Sequence, residues 1–253
     1  MTKKYYHPVI VRKIFKNFEC KCGQTGIKAI KLLVKNYQIK FHEIPVKSKK
    51  ILDSQGALII LNHPYYAEIV AAICALPDRD DIYFIITDSY YELMPNLRKY
   101  MIPVHIQHHT SFVGIKKYFN IGRLFYYPVL KTKQEAHEFN IQSITRAANL
   151  VNQGHLVIIC PQGLKVNKPY WFKGVGHLVS QLNPVTPIIN MYVGNSSIFD
   201  LFRLVPVANR VFPKFHVHVD KPNYIKIKNP SEITKQLENK FNQWALKIHP
   251  SQS

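Results

Sequence analysis

Four short apolar runs constrain the fold of this chain more than any other feature. They are Gly56–Leu61, Ile82–Thr87, Leu156–Cys160 and Ile188–Val193. Runs that stay apolar at nearly every position are typical of strands buried on both faces, as in parallel sheets. Segments with helical spacing separate the runs, and alternation of strands with helices indicates an α/β layer fold. We therefore predict one α/β domain with a mostly parallel central sheet flanked by helices.

Weaker patterns predict the remaining elements. Apolar residues at helical spacing indicate a helix over 135–152, with Gly154 as its stop signal. We expect a helix capped by Ser231 near the end of the chain. The other predicted elements are a helical segment at Leu93–Tyr100, a short strand at Ile102–Ile106, a short helix ending at His177–Leu182, and a late edge strand at Phe215–Val219.

Composition narrows the class of protein. The chain has 253 residues and 47% hydrophobic residues, enough for one sizeable core and too many for a disordered chain. No apolar run reaches the roughly 18 residues of a transmembrane helix, and no clear signal peptide follows Met1. Cys74 and Cys160 lie in apolar runs and are expected to be reduced core thiols. We therefore expect a protein of the cytoplasmic compartment.

Positive charge is concentrated near the start of the chain. Residues 1–50 contain 13 Lys and Arg but two acidic residues, a net +11 of the total +19. We therefore predict a basic, membrane-associating segment at 1–50 and a catalytic domain at 51–253. Amphipathic helices are predicted at 8–19 and 25–36, and either can lie on a membrane or pack on the core. The partner implied by charge is a polyanion, either an anionic membrane surface or nucleic acid.

A histidine follows the first apolar run on a tight turn. The sequence reads Asn62-His63-Pro64, and a helical pattern begins at Glu68. A carboxylate in the first helical turn can accept a hydrogen bond from one imidazole nitrogen. The other nitrogen is then able to take a proton from a hydroxyl, which is general-base chemistry. The alternative is a turn histidine with a solvated glutamate, and the spacing alone does not exclude it.

Four sequence blocks in order resemble the glycerolipid acyltransferase family, the lysophosphatidic-acid-acyltransferase-like enzymes. Asn62-His63-x4-Glu68 is similar to the family's N-H-x4-D/E block, and the segment from Val157 to Lys165 is similar to its strand followed by F-P-E-G-T-R. The segment from Trp171 to Leu178 resembles the F-K-x-G-A that follows. Thr186-Pro187-Ile188-Ile189-Asn190 resembles the V-P-I-V-P strand. The likeness covers about residues 50–225.

The resemblance implies transfer of a fatty acyl group from a thioester to a hydroxyl of a lysophospholipid or glycerolipid-like acceptor. His63 would be the general base, and Glu68 would hold its tautomer. The implied substrate-binding residues are Gln162, Gly163, Lys165, Lys173 and His108. Acyl-CoA or acyl carrier protein would be the co-substrate, with no cofactor and no metal. The partners would be the acyl donor, the lipid acceptor and an anionic membrane surface, with the protein peripheral on its cytoplasmic face.

This sequence departs from the family pattern where the family binds phosphate. Gln162 replaces a glutamate, Lys165 replaces an arginine, and His108 stands near the place of a second arginine. Because the arginine fork matches phosphate better than ammonium or imidazole does, these changes leave the acceptor open. Residues 110–132, rich in aromatic and basic side chains, look longer than the family's usual connection. They either fill the core or form a membrane-facing or acyl-chain-lining insertion.

Two other functions fit parts of the sequence. A lipid- or acyl-binding relative without transferase activity fits the departures, although it has no need of both His63 and Glu68. A nucleic-acid-binding protein fits only the charge, and no nucleic-acid partner is expected because no recognisable motif supports one. His105, His108 and His109 lack an obvious carboxylate partner and are expected to be surface or loop histidines. Cys20-x-Cys22 lacks the second ligand pair of a zinc site.

Overall fold

A computed structural model describes residues 26–33, 37–64, 67–91, 95–106, 131–162, 171–197, 199–200, 203 and 211–248. The strands within these ranges are β1 (Ile39–Phe41), β2 (Ala57–Leu61), β3 (Ile82–Thr87), β4 (Met101–Val104), β5 (Leu156–Ile159), β6 (Ile188–Gly194) and β7 (Phe215–Val219). The helices are α1 (Gly26–Leu33), α2 (Val46–Ser54), α3 (Glu68–Cys74), α4 (Asp88–Tyr91), α5 (Lys133–Asn152), α6 (Gly174–Val179) and α7 (Pro230–Ile248), with a 3₁₀ helix at Pro95–Tyr100.

All seven strands form one sheet in the order β1-β7-β6-β2-β5-β3-β4. Every neighbouring pair is parallel except β6 and β7, so β7 and β1 run opposite to the other five strands. The predicted α/β fold with a mostly parallel central sheet is confirmed. The four apolar runs form β2, β3, β5 and β6, which are four consecutive strands of the sheet in the order β6-β2-β5-β3.

Helices cover both faces of the sheet. On one face, α1, α2, α3 and the 3₁₀ helix pack through side chains such as Ile27, Leu52, Ala72 and Leu97. On the other face, α5, α6 and α7 bury the side chains Ala147, Val151, Leu178, Leu237 and Phe241, among others. Every residue of β2, β5 and β6 is buried. Burial of one Leu or Ile side chain stabilises the fold by about 1.5–3 kcal/mol, so these three strands dominate the core.

Two expectations about the end of the chain are wrong. Phe215–Val219 is not an edge strand, because β1 pairs along it in parallel and takes the edge instead. Ser231 does not cap the last helix. The helix begins at Pro230, and the side-chain oxygen of Asn229 accepts hydrogen bonds from the backbone N–H groups of Ser231 and Glu232. Asn229 therefore satisfies donors that the first helical turn leaves open.

The N-terminal region contributes to the same core where it is described. Ile27 of α1 is completely buried, and the Lys31 ammonium donates to the Leu76 carbonyl and pairs with Asp78. Helix α1 therefore packs on the core, which is one of the two possibilities given for the segment 25–36. The predicted helix at 8–19 and Cys20-x-Cys22 lie outside the described residues. Within the described ranges, every helix is too short or too polar to cross a lipid bilayer.

The close approach of α6 to α7 gives a stability prediction with an internal control. A Cβ on Gly176 would overlap the Pro230 carbonyl oxygen and the Thr234 hydroxyl of α7, whereas one on Gly174 would meet only the Ile144 side chain at 3.8 Å. We expect Gly176→Ala to lower the free energy of unfolding by about 1–3 kcal/mol through overpacking. Gly174→Ala should leave it unchanged or raise it slightly. Urea unfolding measures both, and equal stabilities would contradict this packing.

Candidate active site

The carboxyl ends of β2 and β5 form a crevice at one edge of the sheet. The two strands are adjacent and parallel, with Ile60 opposite Ile159. The helix that follows β2 is α3, on one face of the sheet, and the helix that follows β5 is α6, on the other. Chains that leave neighbouring parallel strands toward opposite faces open a crevice between them, and ligands of α/β proteins bind at such points.

Asn62 fixes the end of β2 against β6. Its side-chain amide donates to the Val193 carbonyl at 2.9 Å, and its side-chain oxygen accepts from the Val193 N–H at 2.8 Å. The carboxamide thus occupies the place of one more backbone unit in the β2–β6 ladder. Because Asn62 is buried, these two bonds are shielded from water. They hold the backbone immediately before His63 in a defined position.

His63 and Glu68 form a hydrogen-bonded pair across the turn. Nδ1 of His63 lies 3.3 Å from Oε2 of Glu68, the first residue of α3. A carboxylate accepts, so Nδ1 carries the proton in this contact and Nε2 of a neutral ring has a lone pair. Glu68 has no exposed surface, and the His63 side chain keeps 14% of its surface accessible. The pair is therefore rigid at the carboxylate and open at the imidazole.

The negative charge of Glu68 also contributes to the pKa shifts of two further side chains. Burial raises the pKa of the Cys160 thiol at the end of β5, and the negative charge of Glu68 raises it further. Burial raises the pKa of the Tyr192 phenol on β6, again with a smaller contribution from Glu68. Cys160, expected to be a core thiol, is a free cysteine beside the candidate site. Tyr192 was missed because an aromatic residue in a buried strand looks like ordinary core.

The turn after β5 and the start of α6 meet next to this crevice. The Phe172 N–H donates to the Pro161 carbonyl at 2.9 Å, which closes the loop between the two sequence blocks. Gln162 is half-buried at the start of this loop. Lys173 is exposed immediately before α6, and Trp171 is buried against Phe241 with ring centroids 5.5 Å apart. The second and third blocks are thus brought together in space.

Three of the predicted substrate-binding residues cannot be placed. Gly163, Lys165 and His108 lie outside the described residues, as does most of the segment 110–132. Lys131 and Thr132 are described, and Thr132 caps α5 with a reciprocal pair of hydrogen bonds to Glu135. Of the five predicted substrate-binding residues, the structure therefore describes Gln162 and Lys173.

A second histidine–carboxylate pair lies at the same edge of the sheet. His105, directly after β4, has its Nδ1 2.9 Å from Oδ2 of Asp88, directly after β3. Lys131 donates to the same carboxylate oxygen at 2.8 Å, and the Asn140 side chain exchanges two hydrogen bonds with the His105 backbone. The expectation that His105 is a surface histidine without a carboxylate partner is wrong. The partner is 17 residues away but on the neighbouring strand end.

The His63–Glu68 and His105–Asp88 pairs differ in exposure and in charge. The His105 side chain is 4% exposed, against 14% for His63. The Asp88 carboxylate is also paired with an ammonium, and the His105 backbone is held on both sides. These features suit a structural joint between β3, β4 and α5. A general base needs a nitrogen that a substrate can reach, so the His63 pair is the better candidate for chemistry.

No protein-family model matches the sequence, and no curated protein matches it. Among solved structures, a similar one is the crystal structure of the 1-acyl-sn-glycerophosphate (LPA) acyltransferase PlsC from Thermotoga maritima. The comparison has a TM-score of 0.46 and 12% sequence identity, and it covers 97% of this chain and 84% of that chain.

The fold and the site define the class of protein to which this chain belongs. The chain is an α/β protein with a histidine–glutamate pair at the carboxyl edge of a mostly parallel sheet. The pair lies in the crevice between the two central strands, and the hydrogen-bonded residues Pro161 and Phe172 lie just beyond the end of β5.

The structural role of His105 can be tested by measuring the free energy of unfolding of variants. Replacement of His105 by Ala removes a buried hydrogen-bond partner of Asp88, which typically costs about 1–3 kcal/mol. His137 on α5 is exposed and is the matched control, for which a change within about 0.5 kcal/mol is expected. Urea unfolding of both variants measures the difference. Equal stability of His105→Ala and His137→Ala would contradict a structural role for the Asp88–His105 pair.

Proposed function

We propose that this protein is an O-acyltransferase that moves a fatty acyl group from a thioester to a hydroxyl of a lysophospholipid or glycerolipid-like acceptor. The observation that carries the proposal is the hydrogen bond between His63 Nδ1 and Glu68 Oε2. It lies within the block Asn62-His63-x4-Glu68, next to the loop that contains the second and third blocks of the resemblance. The donor is acyl-CoA or acyl carrier protein.

The reaction requires one proton transfer in each direction. Nε2 of His63 takes the proton of the acceptor hydroxyl as its oxygen attacks the thioester carbonyl carbon. The tetrahedral intermediate then collapses, the carbon–sulfur bond breaks, and the imidazolium returns the proton to the leaving thiolate. Glu68 holds the ring in the required tautomer and stabilises its charged form, as a buried carboxylate does in a hydrolase triad.

Direct attack by the acceptor fits this site better than a covalent acyl-cysteine. A nucleophilic cysteine needs a lowered pKa, so that the thiolate is present near neutral pH. The pKa of Cys160 is instead raised, first by burial and then by Glu68. The Cys160 thiol therefore stays protonated, and we assign it no step in the reaction.

The remaining candidate residues would bind the acceptor and the developing charge. In this proposal Gln162 and Gly163 border the reacting carbonyl, where backbone N–H groups of the turn stabilise the oxyanion. Lys165, Lys173 and His108 would contact acceptor phosphate. Because Lys165 and His108 stand where the family has arginines, an ammonium and an imidazole replace two forked guanidiniums, and bidentate phosphate recognition is weakened.

The complete burial of Glu68 favours an enzyme over a binding protein. Removal of a carboxylate from water costs several kcal/mol unless its partners compensate. A protein that only binds lipid gains nothing from a buried glutamate aimed at an accessible histidine. A general base does gain, because the carboxylate stabilises the imidazolium formed during the reaction.

The first functional prediction concerns the pair itself. We expect His63→Ala to fold normally and to lose acyl transfer by about 10²–10⁴ in rate, the usual contribution of a general base. Glu68→Gln should be severely impaired, because the amide cannot stabilise an imidazolium, and Glu68→Asp should keep partial activity. Activity is measured with labelled acyl donor, and circular dichroism checks the fold. Wild-type turnover by His63→Ala, with His137→Ala as the matched control, would refute the assignment.

The second functional prediction concerns the membrane. We propose peripheral attachment at the cytoplasmic face of a membrane through the basic residues 1–50, with residues 110–132 as a possible second contact. Each Lys or Arg near an anionic surface contributes about 1 kcal/mol, and salt screens this contribution. Binding to anionic vesicles should therefore weaken as salt rises. Replacement of Arg12, Lys13 and Lys16 by Gln should weaken it by up to about 3 kcal/mol.

Vesicle co-sedimentation measures this binding. The matched control replaces three exposed lysines outside the basic segment, Lys221, Lys226 and Lys228, by Gln. Equal binding to neutral and anionic vesicles, or equal loss in the two triple variants, would rule out electrostatic attachment through residues 1–50.

The third functional prediction concerns the acceptor. If Lys165 contacts acceptor phosphate, Lys165→Ala should raise the acceptor KM much more than the donor KM. The double change Gln162→Glu and Lys165→Arg restores the family pattern, so it should improve use of lysophosphatidic acid relative to other acceptors. Steady-state kinetics with a panel of acceptors measure both effects. The interpretation fails if lysophosphatidic acid is already the best acceptor and the double variant uses it no better.

A further inference from the structure

Three histidines lie close together on or next to the two outermost strands at one side of the sheet, β1 and β7. His216 and His218 are two residues apart on β7 and so point to the same face of the sheet. His42 follows β1, directly alongside them. One potential ligand nitrogen from each of the three rings lies within 4.8 Å of the others. Among the described residues, this is the group of histidine, cysteine and acidic side chains whose geometry suits a metal ion.

We propose that His42, His216 and His218 form a binding site for a divalent transition-metal ion, with Zn²⁺ the first candidate. Neutral imidazole is a preferred ligand of zinc, copper and nickel. Two histidines at alternate positions of one strand and a third on the neighbouring strand can supply three ligands from one side. Three protein ligands leave a fourth position for water or another small ligand. No metal is expected from the sequence, where neither the histidines His105, His108 and His109 nor Cys20-x-Cys22 form a ligand set, and His42 lies 174 residues from His216.

The distances are close to those of an assembled site. Zinc–nitrogen bonds of about 2.0–2.1 Å place the nitrogens of a tetrahedral site about 3.3 Å apart. His42 Nε2 and His216 Nδ1 are already 3.3 Å apart, in a hydrogen bond that a metal ion would replace. The His42 and His218 rings are stacked, with centroids 3.7 Å apart and an interplanar angle of 16°. Metal binding therefore requires these two rings to rotate out of the stack so that both lone pairs face one point.

The surroundings leave room for such a rotation. All three histidines are half-buried, and the alternate residues of β7, Phe215, Val217 and Val219, are the ones that fill the core. On β6, Gly194 lies opposite His216 and adds no side chain to this face, whereas Tyr192 lies opposite His218, so the rotation has room on the His216 side. A bound ion would tie β1, a strand of only three residues at the sheet edge, to β7. The site would thereby stabilise the attachment of the N-terminal region to the sheet.

The test uses the full chain without a purification tag, in a Cys20→Ser, Cys22→Ser background that removes the competing thiol pair. After chelator treatment, Zn²⁺ is titrated against a chromophoric chelator. We expect one tight site per chain. Loss of even an outer-shell partner costs a metal site about 10–100-fold in affinity, so His42→Gln and His218→Gln should each weaken binding at least tenfold. The exposed histidines His137 and His177 give matched controls, and their Gln variants should bind as the parent does.

Two further readouts keep the test decisive if a variant folds poorly. X-ray absorption of the zinc-loaded parent should show three imidazole ligands and one further oxygen ligand. Zn²⁺ should raise the Tm of the parent and of the controls but not of His42→Gln or His218→Gln. Fewer than three imidazoles at the metal, or equal affinity in ligand and control variants, would overturn the proposal. No acyl donor or acceptor is present, so the outcome is independent of the proposed transferase activity.

Discussion

The backbone hydrogen bonds that join β2 to β5 on one side and to β6 on the other hold the centre of the sheet. All three strands are fully buried and run in the same direction, so their carboxyl ends meet at one edge. The two helices that follow β2 and β5 lie on opposite faces, and this divergence creates the crevice in which His63 lies. Asn62 then extends the β2–β6 ladder by one side-chain unit and fixes the residue before the histidine.

The two histidine–carboxylate pairs at this edge of the sheet differ in role, and the burial and pairing of their charges explain the difference. Glu68 and Asp88 both follow central or neighbouring strands and both contact a histidine. Asp88 also has an ammonium partner and a histidine locked through its backbone, an arrangement that stabilises three elements. Glu68 instead faces an imidazole that keeps an accessible surface. Burial raises the pKa of Cys160 and Tyr192, and the charge of Glu68 raises both further. A histidine and a carboxylate thus form a structural contact at Asp88–His105 and a candidate catalytic pair at His63–Glu68.

The central strands could be predicted because their burial requires unbroken apolar runs, which are visible in the sequence. Strand β1 could not, since Ile39–Phe41 is short and largely exposed and gives no periodic signal. The alternating pattern of Phe215–Val219 predicts an edge strand, but β1 pairs with β7 and takes the edge. The His63–Glu68 contact followed from local spacing on one turn. The Asp88–His105 contact and the approach of His42 to His216 depend on which strands are neighbours, and sheet order is not encoded in local pattern.

Product analysis tests the proposed acyl transfer most directly. The purified protein is incubated with isotope-labelled acyl-CoA or labelled acyl carrier protein and a panel of lysophospholipid and other hydroxyl-bearing lipid acceptors. Mass spectrometry then identifies any lipid that carries the label. The account predicts an acceptor esterified with the labelled chain, formed by the wild-type protein and lost in His63→Ala. The absence of labelled product with every donor and acceptor, or equal product from the His63→Ala protein, would contradict it.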